Sequence, residues 1–170
     1  MVCHGSMPPG KRVGARVHWG MRGRDAPSLV APFGKPADTR FKLLARAAFG
    51  ARLLSLAVAS IGTGRRHQIR LHAAHLGHAV AADSKYSCLA TFSEDQSWCR
   101  STFLHRYRLT FWAPSQQLHD ESEAHQCRLP LPPPMRESLR LLSPLSQSSS
   151  RELSKWISGD QFDLRSWSDY

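Results

Sequence analysis

No stretch of this 170-residue chain approaches the run of about 20 apolar residues that a membrane-spanning helix needs. The opening Met1-Val2-Cys3-His4-Gly5 has no charged start followed by an apolar stretch, so it does not read as a signal peptide. Membrane insertion and secretion are therefore not expected, and an intracellular location is. Cysteine is sparse. Cys3, Cys88, Cys99 and Cys127 form no CxxC pair and no disulfide framework, which leaves reduced thiols that pack or sit at the surface. There is no internal repeat.

Acidic residues are scarce where basic ones are plentiful. Residues 1–112 carry 17 Lys/Arg and 5 Asp/Glu, a net of +12, whereas residues 113–170 carry 6 and 8, a net of −2. A basic body fits a polyanion, most often nucleic acid; the plainer reading is a solvated basic surface.

Composition divides the chain at about residue 117. Residues 1–36 are rich in Gly, Pro and Arg, with turn signals at Pro8-Pro9-Gly10 and Phe33-Gly34-Lys35-Pro36 and one short strand predicted over Arg12–His18. Thr39–Ala47 and Arg52–Ala59 read as two antiparallel strands of a hairpin, although their Leu and Ala also suit a helix. After the turn Ile61-Gly62-Thr63-Gly64, apolar positions Ile69, Ala73 and Leu76 fall at helical spacing, and Gly77 is placed to end the helix. Phe103–Trp112 reads as a further strand, with Leu104, Arg106, Arg108 and Thr110 on one face and His105, Tyr107, Leu109 and Phe111 on the other. From residue 118 to 170 the prolines of 130–134 and the serines of 143–150 predict a poorly ordered extension, with one short helix over Arg151–Ile157.

The segment from Thr63 to Tyr86 concentrates the chemistry. A glycine turn feeding a helix puts Arg65, Arg66 and Arg70 close to a helix N-terminus, where unpaired backbone N–H groups and forked guanidinium groups both suit phosphate. The string TGRRHQIRLHAAHLGHAVAADSKY also resembles the signature TGRxHQIRxHxxxxGxPxxGDxxY of RluA-type RNA pseudouridine synthases. Matches fall at Thr63, Gly64, Arg65, His67, Gln68, Ile69, Arg70, His72, Gly77, Asp83 and Tyr86. Lys35-Pro36-Ala37-Asp38-Thr39-Arg40-Phe41 and Leu104–Phe111 resemble the family's flanking segments, so that the likeness covers roughly residues 30–115 and more weakly 2–17.

The resemblance implies an α+β fold: a bent antiparallel sheet with flanking helices and an RNA-binding cleft, here as residues 1–117. It implies isomerisation of uridine to pseudouridine in ribosomal or transfer RNA, without cofactor or metal, by a monomer. The base is flipped into the cleft and attacked by an aspartate, whose partner is the last arginine of HQIR, here Arg70. Arg65, Arg66, His67, Gln68 and His72 are then expected to contact RNA or shape the cleft, and Gly64, Gly77, Asp83 and Tyr86 to build the loop around it.

Departures from the pattern count too. The family's HRLDxxTSG stretch, which holds the nucleophile, does not occur; Asp25 and Asp38 stand in unrelated contexts. Ala79 replaces the usual proline and Ala82 the usual glycine before Asp83. The expectation is a C-terminal part of the catalytic domain, truncated and inactive alone. The alternatives are a catalytically dead RNA-binding module or an incomplete gene model. His72 and His75 lie three apart, but no carboxylate or thiol completes a metal site. Trp98, Trp112, Trp156 and Trp167 are expected in core or interface positions rather than stacked on bases.

Overall fold

The structure, a computed structural model, describes residues 1–19, 25–112 and 124–159. Its frame is the expected hairpin, β5 (Thr39–Phe49) and β6 (Arg52–Ile61), which turns at Gly50 with φ 56°, a conformation glycine adopts without a Cβ clash. A bulge between Leu43 and Ala45 shifts the register and bends the pair. On one side β1 (Val2–His4) pairs antiparallel with β6. On the other, β2 (Lys11–Val13) pairs with the start of β5. The outer edge of β1 is closed by the segment after the helix. Ala81 N donates to Val2 O, His4 N to Ala79 O and Val2 N to Phe103 O, so no bare edge is left there.

The predicted strand over Arg12–His18 is divided in two. Its second half, β3 (Val17–His18), pairs with β4 (Leu29–Val30) in a separate small hairpin. The predicted helix appears as α1 (Gln68–His75). Gly77 ends it at φ 81°, with His78 N donating to Ala73 O across the cap. A helix the pattern did not announce, α2 (Leu89–Asp95), follows the Asp83 loop. Asp95 is fully buried; its Oδ2 accepts from Ala82 N at 2.7 Å and meets His4 Nε2 at 2.9 Å. That anchor holds Ala82 at φ 55°, a left-handed conformation. The usual glycine of the family pattern would adopt it without strain.

Of the strand expected over Phe103–Trp112 only its second half is regular. β7 (Arg108–Trp112) pairs with β8 (Ala124–Arg128), with Leu109 opposite Cys127 and Phe111 opposite His125 on one face.

The structure differs from expectation most in the segment read as a poorly ordered extension. α3 (Pro133–Arg140) starts with a proline whose fixed φ suits the first turn. β9 (Ser143–Pro144) pairs with the far end of β5, and α4 (Gln147–Ser158) follows. The cap of α4 is Ser146, whose Oγ accepts from Ser149 N, while Ser149 Oγ accepts from Arg46 N of β5. Leu131, Leu139, Leu142, Leu153 and Trp156 join Val2, Phe41, Leu54, Leu56, Trp98 and Phe103 in one buried core. Proline and serine made this stretch look like a linker, yet five apolar side chains at the right spacing outweighed local preference. Residues 113–123 and 160–170, Trp167 included, lie outside the described residues. No helix among the described residues is long and apolar enough to cross a membrane.

Candidate functional site

The site grows from the turn that starts α1. Gln68, its first residue, is only 2% exposed, and its side-chain amide organises the turn. Gln68 Oε1 accepts from Arg65 N (3.0 Å) and Thr63 Oγ1 (2.9 Å), while Nε2 donates to Asp38 O (2.8 Å) and Thr39 Oγ1 (3.0 Å). Thr39 Oγ1 in turn lies 2.9 Å from Nδ1 of the wholly buried His72, whose Nε2 meets Ala15 O at 2.8 Å. Because a carbonyl only accepts, His72 carries its proton on Nε2 and receives the threonine hydroxyl at Nδ1. Burial lowers its pKa, which keeps the ring neutral. Gln68 and His72 therefore shape the site from beneath and do not reach its surface.

The helix start is also less open to phosphate than its sequence implied. Two of its amides are already engaged, Arg65 N with Gln68 Oε1 and Gln68 N with Arg65 O. Gly64 does not adopt a left-handed φ and has open space where a Cβ would stand, so its backbone makes no demand for glycine. What it leaves is an unobstructed approach to the turn. Arg65 Nε donates to Pro36 O (3.0 Å), and the Arg66 guanidinium lies 4.7 Å from the centre of the half-exposed Trp19 ring.

One turn further on, Arg70 meets Asp83 in a fork: Nε to Oδ2 at 2.7 Å and Nη2 to Oδ1 at 2.5 Å. The Arg70 side chain is 16% exposed and that of Asp83 not at all. The carboxylate bond raises the Arg70 pKa further. Asp83 Oδ1 also accepts from the amides of Lys85 (3.0 Å) and Tyr86 (3.3 Å), closing the loop around itself. Asp83 thus closes its own loop, and among the described residues it is the ion-pair partner of Arg70. Asp25 pairs with Lys85 at 3.8 Å, and Asp38 with Arg12 at 2.6 Å, so neither of the two upstream aspartates faces Arg70.

Tyr86 completes the cluster. Its ring lies 5.3 Å from the Arg70 guanidinium, and burial raises its pKa. The hydroxyl accepts from Ser28 N (2.8 Å) and sits 3.1 Å from Nδ1 of His67. His67 occupies the left-handed region at φ 55° as the residue before α1. Partial burial and the positive charges of Arg70, Arg66 and Lys85 lower its pKa, so that it too is neutral at neutral pH. The arrangement is a neutral, hydrogen-bonding floor with Arg65, Arg66 and Arg70 around it. Ser28 and Trp19, unnoticed in the sequence, tie the β3–β4 hairpin to this floor: Ser28 Oγ donates to Arg66 O at 2.9 Å. Nothing local marks Ser28; the arginine–aromatic pairing of Trp19 is visible only once residues 47 positions apart are adjacent. Among the described residues no group of three or more His, Cys, Asp and Glu is placed to hold a metal ion.

No protein-family model matches the chain. The chain is 35% identical over 113 residues to ribosomal large subunit pseudouridine synthase C of Yersinia pestis, which covers 66% of this chain and 33% of that protein. It is 35% identical over 115 residues to the protein of the same name from Pasteurella multocida, covering 66% and 32%. The chain thus spans about a third of the length of the curated relatives it matches. Among solved structures, human RNA pseudouridylate synthase domain containing 1 superposes with a TM-score of 0.66 at 20% identity, over 91% of this chain and 62% of that one. Human RNA pseudouridylate synthase domain containing 4 gives 0.58 at 18% identity, over 84% and 60%. These two likenesses establish the fold.

Proposed function

We propose, for a chain that is a relative of the RluA-type pseudouridine synthases, that it forms the RNA-holding part of a domain that isomerises uridine to pseudouridine. The observation that carries this reading is the Arg70–Asp83–Tyr86 cluster, set one turn along the chain from Arg65 and Arg66 at the start of α1. In it Asp83 occupies Nε and Nη2 of Arg70, which leaves Nη1 as the edge that takes a second carboxylate. That carboxylate is the nucleophile of the reaction the relationship implies. Arg70 holds it ionised and oriented, while Arg65 and Arg66 hold the phosphates on either side of the flipped base. His67, neutral and partly exposed, offers a ring edge to the sugar or base. The chain works as a monomer, on ribosomal or transfer RNA.

One observation favours binding without chemistry in these residues themselves. The carboxylate at Arg70 is Asp83, fully buried and already engaged four times, and no HRLD string occurs in the sequence. The chain alone is therefore expected to bind RNA and not to convert it.

Fluorescence anisotropy with a labelled ribosomal RNA stem-loop tests the binding. Affinity should fall steeply between about 50 and 200 mM salt, and Arg65→Ala with Arg66→Ala should shallow that slope by about two phosphate contacts. Nucleoside mass spectrometry of the same RNA should detect no new pseudouridine. Absence of salt-dependent binding overturns the proposal; pseudouridine formed by the chain alone overturns the binding-only reading.

A further inference from the structure

The turn after β4 and the residue after β3 present aromatic side chains to solvent. Phe33 is 75% exposed and Trp19 50%. Phe33 sits in the turn Ala31-Pro32-Phe33-Gly34, closed by Gly34 N donating to Ala31 O at 2.9 Å, with the Pro32 ring restricting φ. Gly34 lies against β3 so closely that a Cβ would stand 2.6 Å from the carbonyl carbon of Val17. Arg16 Nε donates to Gly34 O at 2.7 Å, and Lys35 and Val17 exchange backbone hydrogen bonds of 2.8 and 2.9 Å. Among the described residues, the ring packed on Phe33 is that of His18, edge-on at 4.7 Å. At the loop end of the β3–β4 hairpin, Ser28 is fully buried and bonded to Arg66 O and Tyr86 Oη, which couples this region to the Arg70 cluster.

A phenyl ring so exposed contributes little hydrophobic stabilisation to the fold, while the turn that holds it is constrained on both sides. Such preorganisation serves an external partner, because the ordering cost is already met before binding. The surroundings select which partner. Arg16, His18 and Lys35 flank the turn, Arg66 lies over Trp19, Arg65 donates to Pro36 O, and Asp25, the acidic residue of the hairpin segment, is engaged with Lys85. Exposed aromatic faces set among cations fit a polyanion that also carries flat rings.

We infer that the turn 31–34 after β4 is a stacking finger for unpaired bases of RNA, with Phe33 as its platform and the Arg66–Trp19 pair, at the loop end of the β3–β4 hairpin, as a second one. The inference rests on the RNA reading proposed above and adds that the recognised RNA is single-stranded beside the cleft. Stacking is indifferent to sequence, since every base has a π-face, but it requires that the base be unpaired.

The test compares one labelled RNA strand, alone and annealed to its complement, by anisotropy against the full chain. Phe33→Ala should weaken binding to the single strand roughly 5- to 150-fold, the equivalent of about 1–3 kcal/mol, and leave duplex binding unchanged. Phe33→Trp should restore the single-strand affinity, and thermal melting should be the same for all three proteins because the ring is solvent-exposed. Equal affinity of Phe33→Ala and wild type, or equal loss on both RNA forms, overturns the stacking finger while leaving the RNA reading intact. No RNA binding by the wild type overturns both.

Discussion

The Arg70–Asp83 fork offers the sharpest quantitative test of how this site is built. Asp83→Ala removes two charge-assisted hydrogen bonds and leaves the Lys85 and Tyr86 amides without their acceptor. Breaking a buried ion pair from one side typically costs about 3–5 kcal/mol, a large part of the roughly 5–15 kcal/mol that holds a domain together. Arg70→Ala should cost somewhat less, because the bared carboxylate keeps both backbone amides. The double variant Arg70→Ala/Asp83→Ala should be about 2–3 kcal/mol more stable than the sum of the single losses predicts, the mark of partners that act on each other. Urea unfolding of the four proteins, followed by tryptophan fluorescence, measures all three quantities. If the single losses add to within about 0.5 kcal/mol, the two residues are not coupled and the fork does not organise the loop.

Three further outcomes follow from the fold. Trp156 is 4% exposed and its ring meets Tyr107 edge-on at 5.3 Å, so Trp156→Ala should destabilise the whole domain by about 3–5 kcal/mol in a single cooperative urea transition; a loss below about 1 kcal/mol would mean that α4 is not part of the core. Ala82→Gly should stay within about 1 kcal/mol of wild type in thermal melting, because relief of about 1–2 kcal/mol of left-handed strain offsets the lost methyl, whereas Ala81→Gly, equally buried and without a positive φ, should cost the full 1–2 kcal/mol or so. His67 and His72 both have lowered pKa values, so the unfolded chain binds their protons first as pH falls. Stability should thus be greatest above the ordinary histidine range and decline as pH drops below about 6.5, and His72→Gln should flatten the decline seen by calorimetry.

Some of this architecture was legible because local chemistry and tertiary structure agree. The alternation of Leu54, Leu56 and Val58 announced β6, and Gly77 marked the end of α1 where only a residue free to turn left-handed ends a helix cheaply. Gln68 and His72 were misleading for the opposite reason. Amide and imidazole groups read as surface chemistry, yet both are buried because Thr39, about 30 positions away, lies between them and completes their hydrogen bonds. The serines of 146–150 read as linker, and became helix because Leu153 and Trp156 found the sheet.

What the sequence determined by itself is the basic body, the β5–β6 hairpin feeding a glycine-capped helix, and a long motif string that resembles one family's signature. These depend on residue type and short-range spacing. Tertiary structure alone decided which carboxylate faces Arg70, which polar side chains lie beneath the site, and which aromatic rings are left in solvent at Phe33 and Trp19. Each of those depends on partners brought together by chain closure, and the free energy of a buried charge or an exposed ring belongs to its surroundings rather than to the residue.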